Sequence, residues 1–326
     1  MAFRWAILGA GNIAGKFADA VMRADGCVLS AVASRSMERA EAFARRHGIP
    51  AAYGDYAEML QHARPDAVYI ATLPGSHAAL TRLCVAHGVP VLCEKAMFMS
   101  SAEAEAVLGY ARERGIFAME AMWSRFLPAV REMKRQLDAG GIGSPCFAEF
   151  ALGWRTPDHP GSRFFDAAQG GGAACDLMVY GYELAEYFFG PPEETRQVAV
   201  TWGPSGVDET EAILLRWPAK GEQPPLLAVL TASITANLDE RAVIAGPGGT
   251  FRMPKPHMAK GFTCMLPDGT ETEWHDLQTI NGFVYEVEEV VRCVQAGLLE
   301  SPVVPHALTI RCARLFDAIN AAKPER

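Results

Sequence analysis

At 326 residues, 50% of them hydrophobic and 21% charged, the chain is long enough for two domains with a core each. A net charge of −8 argues against a nucleic-acid or anionic-membrane partner, and without a run of eighteen apolar residues neither a membrane span nor a signal peptide is expected. The eight cysteines form no C-x-x-C and the eight histidines no H-E-x-x-H, so a reducing cytoplasm is expected, with no disulfide framework and no metal site.

The apolar run Phe3 to Leu8 reads as a buried parallel strand leading into Gly9-x-Gly11-x-x-Ala14, and Asn12 to Ala20 reads as a helix. Gly9 permits the sharp turn, Gly11 lets a pyrophosphate approach the backbone, and Ala14 lets helix and strand pack closely. The amides that open the helix, those of Asn12 and Ile13 among them, would hold the phosphates at the positive end of its dipole. A dinucleotide site is therefore expected here. A second strand, Val28 to Ala33, ends at Ser34-Arg35-Ser36, with Ser36 as N-cap of a helix from Met37 to His47 and Gly48 past its end. Further short strands follow at Ala67 to Thr72, Val89 to Cys93 and Ile116 to Met119. Helices capped at Asp55 and Ser100, and one ending near His87, lie between them. Short strands alternating with helices predict a doubly wound parallel sheet.

Past Glu120 the pattern changes. A helix from Pro128 to Asp138 is followed by strand-like runs without helices between them, from Cys146 to a hairpin around Pro267-Asp268-Gly269. Among these runs lies a helix over Ala173–Phe189, introduced by Gly170-Gly171-Gly172, and two more helices finish the chain. The fold class is thus α/β: an N-terminal Rossmann domain over residues 1–121, then an α+β domain over 122–326 with an open, mainly antiparallel sheet and helices on one face.

The end of the second strand selects the dinucleotide. NAD enzymes usually carry an acid there, whereas this chain has Ser34, Arg35 and, one turn on, Arg39. A hydroxyl and a guanidinium suit a 2′-phosphate that an acid would repel, so NADP is expected in preference to NAD, although the same residues also read as ordinary surface polar groups. Glu94-Lys95 stands at the carboxyl end of a parallel strand, where open α/β sheets bind ligands, but a lysine there also reads as a solvated charge. Asp176 and Tyr180, four apart, share one face of their helix, and the glycines before it would let a cofactor or substrate approach its N-terminus.

Taken in order, Gly9-x-Gly11-x-x-Ala14, Cys93-Glu94-Lys95, Glu120-Ala-Met-Trp123-Ser-Arg125-Phe126 and Gly170-Gly-Gly-x-x-x-Asp176-x-x-x-Tyr180 resemble the glucose–fructose oxidoreductase/inositol dehydrogenase (Gfo/Idh/MocA) family. Within it, the chain is most similar to the dimeric dihydrodiol dehydrogenase and NADP-dependent D-xylose dehydrogenase branch. The resemblance implies hydride transfer between NADP(H) and a hydroxyl or carbonyl carbon of a sugar, polyol or trans-dihydrodiol, with Lys95 and Tyr180 catalytic and Asp176 beside them. It further implies cofactor contacts from Thr72, Leu73, Pro74, His77, Glu94, Lys95, Trp123 and Arg125. Trp123, Trp154, Arg155, Arg163, Phe164 and Phe165 are candidates for the substrate pocket, with core packing the competing reading for the aromatics. A homodimer through the C-terminal sheet is expected.

Two departures stand out: Ala96 replaces a proline common after the lysine, which makes a cis bond improbable, and Met178 replaces a glycine, where it would narrow the pocket. The Asn of a Thr-Pro-Asn-x-x-His segment is lost in Leu73-Pro74-Gly75-Ser76-His77. A non-catalytic NADP(H)-binding sensor of the same fold is the competing function, and a flavin or S-adenosylmethionine protein is disfavoured by Ser34-Arg35.

Overall fold

The computed structural model describes residues 2–157 and 161–324. Its contacts divide the chain into two compact units, Met1–Trp123 with Ile280–Ala313, and Ser124–Thr279 with Arg314–Arg326. A single cut near residue 121 therefore does not describe the division. The physical reason lies in the first unit's own packing, where a helix from the end of the chain covers its first helix.

The first unit is a six-stranded parallel sheet: β1 (Phe3–Leu8), β2 (Cys27–Ala33), β3 (Ala52–Tyr53), β4 (Ala67–Ile70), β5 (Val91–Glu94) and β6 (Ala118–Ala121). Their order is β3-β2-β1-β4-β5-β6, with every neighbouring pair parallel. The order reverses between β1 and β4, which puts the crevice at the carboxyl ends of those two strands. Helices α1 (Asn12–Arg23), α2 (Met37–His47), α3 (Tyr56–Ala63), α4 (His77–Ala86) and α5 (Ser101–Glu113) connect the strands. Their predicted caps form: the side chains of Ser36, Asp55 and Ser100 accept the backbone N–H of Arg39, Glu58 and Glu103. Gly48 closes α2 in the left-handed region at φ 65°. The two-residue strand β3 is too short to show any alternation in the sequence.

In the second unit, α6 (Pro128–Asp138) leads to an eight-stranded sheet: β7 (Phe147–Gly153), β8 (Glu194–Trp202), β9 (Asp208–Trp217), β10 (Leu226–Ser233), β11 (Arg241–Gly246), β12 (Gly249–Pro254), β13 (Gly261–Met265) and β14 (Glu271–His275). The order is β14-β13-β12-β11-β7-β10-β9-β8, antiparallel throughout except where β10 lies parallel to β7. The expected helix over Ala173–Phe189 is a π turn, Ala174–Met178, that runs into α7 (Val179–Phe189), which packs on β7 and β10.

Of the two closing helices, α8 (Val284–Gln295) packs against α1. The other, α9 (His306–Ala321), anchors its start on β6: His306 Nε2 lies 2.8 Å from Ala118 O, and Thr309 donates to Glu120 Oε2 at 2.8 Å. No helix among the described residues is long and apolar enough to cross a membrane.

Candidate active site

In the first unit the chain leaves β1 at Gly9, whose φ is +100°. A Cβ there would stand 2.9 Å from Ala71 O, so glycine is required by conformation and by the loop after β4. Gly11 is the N-cap of α1 and differs: a Cβ built on it meets nothing within 4 Å, and no side chain caps the helix. Open space in front of uncapped amides is the cradle a pyrophosphate needs, and the residues present fit a dinucleotide. Asn12 is exposed and Ile13 half-buried at this end, and the loop residues Thr72, Leu73 and Pro74 are half-buried after β4.

At the end of β2, Ser34 is buried, with its hydroxyl accepting the N–H of Ser36 at 3.4 Å, while Arg35 and Arg39 are exposed. Both guanidinium groups act on the Tyr56 phenol, whose pKa burial raises and whose anion they favour. Neither arginine forms an ion pair among the described residues.

The strand end after β5 carries Lys95, half-buried, and three of the expected cofactor contacts turn inward here or elsewhere. His77 is fully buried, with Nδ1 2.9 Å from Ala96 O and Nε2 3.1 Å from Thr72 O, so its ring braces two loops. A neutral ring donates to only one of these carbonyls, and burial lowers its pKa more than they raise it. Glu94 also points inward: its carboxylate accepts the Tyr69 hydroxyl and the Lys95 N–H, and Tyr69 stacks on Phe17 at 3.8 Å. Burial raises the Glu94 pKa against the Tyr69 hydrogen bond and the Lys95 charge, which lower it. Arg125 belongs to the second unit, where its guanidinium donates to Glu183 O and lies 3.8 Å from Glu183 Oε2, both side chains being at most 4% exposed. A guanidinium so enclosed holds α7.

The Lys95–Ala96 bond is cis, contrary to the expectation drawn from Ala96. Both sides of it are tied down, by His77 on Ala96 O and by Glu120 Oε1, which accepts the Met97 N–H at 2.9 Å. Trp123 is half-buried and stacks on Phe283 at 4.9 Å, at the start of α8.

In the second unit two side-chain clusters form around the glycine-led helix. Asp176, 5% exposed, accepts from both terminal nitrogens of Arg163 at 3.3 Å, and that guanidinium covers the Phe164 ring at 4.0 Å. Tyr180, 8% exposed, lies 5.5 Å from the ring of His257, which in turn lies 5.7 Å from Trp154. Met178 is buried at the end of the π turn, Arg155 is exposed and Phe165 half-buried. His257 had no sequence signal: it stands 77 residues beyond Tyr180 in a one-turn helix after Lys255, a residue with φ +46°. A cavity of about 450 Å³ in this unit lies among Leu137, Phe188, Phe189 and Trp217 and contains none of these residues.

The glycines before α7 do not open a path for a ligand. A Cβ on Gly171 would fall 2.7 Å from Arg163 O and Phe164 O, and one on Gly172 would fall 2.2 Å from Asp208 Oδ1. The protein's own chain fills the place where an approaching cofactor or substrate was expected.

Residues 3–121 match the oxidoreductase family with an NAD-binding Rossmann fold, and residues 130–252 match the GFO/IDH/MocA C-terminal domain. The chain belongs to the GFO/IDH/MocA oxidoreductase family. It is 34% identical to the trans-1,2-dihydrobenzene-1,2-diol dehydrogenase of Mus musculus, covering 99% of this chain and 97% of that protein. The Homo sapiens protein of the same name is 32% identical over the same shares. Among solved structures, the aldose-aldose oxidoreductase from Caulobacter crescentus superposes with a TM-score of 0.88 at 22% identity, over 99% of this chain and 98% of that one. A 3-ketoreductase from Actinomadura kijaniata in complex with NADP and TDP-benzene gives 0.84 at 24% identity, over 98% and 97%. As a member of the GFO/IDH/MocA family this chain is a dehydrogenase or reductase acting on CH–OH groups, with a Rossmann domain for a nicotinamide dinucleotide.

Proposed function

We propose that this member of the family is an NADP(H)-dependent dehydrogenase of a sugar, polyol or trans-dihydrodiol. The observation that carries the cofactor choice is the end of β2, where Ser34, Arg35 and Arg39 stand in the place of the usual acid and neither arginine is paired with a carboxylate among the described residues. The full-length likeness to trans-1,2-dihydrobenzene-1,2-diol dehydrogenases supports the substrate class.

When bound, the nicotinamide supplies the acceptor or donor of a hydride. In the oxidative direction a carbinol C–H bond breaks, its electron pair leaving with the hydrogen as hydride, while the O–H proton passes to the Tyr180 phenolate and a C=O bond forms. A free phenol titrates near about 10, so this role needs a cation on the reacting oxygen. Lys95, at the end of β5, is proposed as the second catalytic residue. Asp176, held by Arg163, would take a neighbouring substrate hydroxyl, and Trp154 offers an apolar ring face beside His257.

The same reading includes a homodimer. Leu227, Phe147, Ala245, Thr250 and Met265 stand in one row across five strands, on the sheet face opposite the buried side chains. Three of them, Leu227, Phe147 and Met265, are 40%, 39% and 52% exposed, a row that a second copy would cover.

The test is a substrate panel of aldoses, inositols, trans-dihydrodiols and dicarbonyls with NADP(H) and NAD(H). Turnover of at least one class with NADP(H) favoured is expected; binding without turnover of any class points to the sensor instead.

A further inference from the structure

The helix that carries Asp176 and Tyr180 starts without a capping side chain of its own. The first four amides of a helix have no partner within it, and burying them unpaired is costly. Here the partner comes from another strand. Asp208, the first residue of β9 and 5% exposed, accepts the Ala174 N–H on Oδ2 at 2.6 Å. Its carboxylate also takes the N–H of Ala173.

Three further features belong to the same arrangement. Gly172 has φ +113°, and the absent Cβ is what lets Asp208 Oδ1 come to 2.2 Å of that place. Glu211, three residues further along β9 past the irregularity between Asp208 and Thr210 and 1% exposed, sets its carboxyl beside that of Asp208. Two carboxyl groups in such contact need one proton between them. Asp208 is the one that accepts two backbone amides, so the proton belongs on Glu211, where burial and the Asp208 charge both favour it. Among the described residues the neighbouring strands place uncharged side chains opposite the pair, Ala232 and Val200 opposite Glu211 and Trp202 opposite Asp208. The one negative charge is thus set against the positive end of the helix.

We propose that Asp208, which accepts an opening amide of the helix and is admitted by Gly172, is a positioning residue that fixes the π turn and with it the placement of Asp176 and Tyr180. The inference rests on the reading of those two residues as reacting groups. Asp208 itself touches neither substrate nor cofactor. A π turn is a rare conformation found mostly at functional sites, and here it is the segment immediately beyond the clamped amides. Releasing the clamp lets the turn relax toward an ordinary α-helix, which rotates Asp176 relative to Tyr180.

The experiment combines steady-state kinetics, NADP titration and hydrogen exchange on the full chain with Asp208→Ala, Asp208→Asn, Glu211→Gln and Tyr180→Phe. For Asp208→Ala, kcat is expected to fall by about 10²-fold, the cost of displacing a reacting group by about an ångström, with NADP affinity unchanged. Amides of residues 173–178 should exchange faster. Asn keeps an acceptor for the Ala174 amide, and Gln keeps a donor for Asp208, so both variants should retain kcat to within about threefold and exchange as slowly as the unmodified chain.

If Asp208→Ala does not fold, the two conservative variants decide. Loss of kcat in both, or unaltered exchange over 173–178 in a folded Asp208→Ala, overturns the proposal. Full activity of Tyr180→Phe would overturn the catalytic reading instead, and the exchange data would still report whether Asp208 holds the turn.

Discussion

The two glycine turns of this chain look alike in sequence and do opposite things. Each opens a helix. At Gly11 an added Cβ would meet nothing, and the helix amides behind it are uncapped, so the turn is open to a ligand. At Gly171 and Gly172 the space is taken by the carbonyls of Arg163 and Phe164 and by the Asp208 carboxylate. A glycine before a helix therefore marks close approach, but whether the approaching group is a phosphate or the protein's own side chain depends on residues far away in sequence. In the first unit the helix N-terminus is left open; in the second a strand completes it.

The largest effects should come from the second turn's helix. Replacing Tyr180 by Phe removes only the hydroxyl and should lower turnover by about 10²–10⁴-fold with NADP affinity nearly unchanged. Lys95→Ala should lower turnover as well. Steady-state rates at saturating NADP check both.

A bulky residue at each turn sharpens the contrast. Gly11→Val should fold, with its melting temperature close to that of the unmodified chain, and lose NADP binding, since the side chain enters only the phosphate space. Gly172→Val should lose stability instead, from the positive φ and from the collision with Asp208 together, by about 3 kcal/mol or more. Melting curves with and without NADP separate these outcomes. Arg35→Ala should weaken NADP by about 1–3 kcal/mol and leave NAD binding unaltered, as measured by titration.

The smallest effect expected is one of pH. Burial lowers the pKa of His77, so the folded chain favours the neutral ring. Its contribution to stability is full above the unfolded value near about 6.5 and is lost as pH falls below it. Urea midpoints between about pH 7 and about pH 5 should decline less steeply in His77→Gln than in the unmodified chain, because the substitution removes this one proton from the balance.

These contrasts also show where a sequence stops being readable. The strand–turn–helix at Gly9 to Ala14 is local, and its conformation and its openness both follow from neighbouring residues, so the open turn was legible. The capped helices were legible for the same reason, with Ser36, Asp55 and Ser100 in place. His77, Glu94 and Arg125 were recognised as candidates, but their protein partners were not legible. Each is bonded to a partner 19, 25 or 58 residues away, and only the fold shows that the partner is protein. His257 and Asp208 carry no pattern of their own, because their meaning comes from the ring or helix end placed beside them. The division of the chain was misplaced for a similar reason: α8 is amphipathic like the other surface helices, and nothing in that pattern names α1 as its partner.

The most direct test of the account is a single-turnover measurement of reduced nicotinamide formed from NADP and a substrate panel of aldoses, polyols and trans-dihydrodiols, with Tyr180→Phe run beside the unmodified chain. The account predicts NADPH formation from at least one of these classes, faster than with NAD, and a loss of two or more orders of magnitude (about 10²-fold) in the variant. NADP that binds but is never reduced, or a Tyr180→Phe variant that reduces it at the full rate, would contradict it.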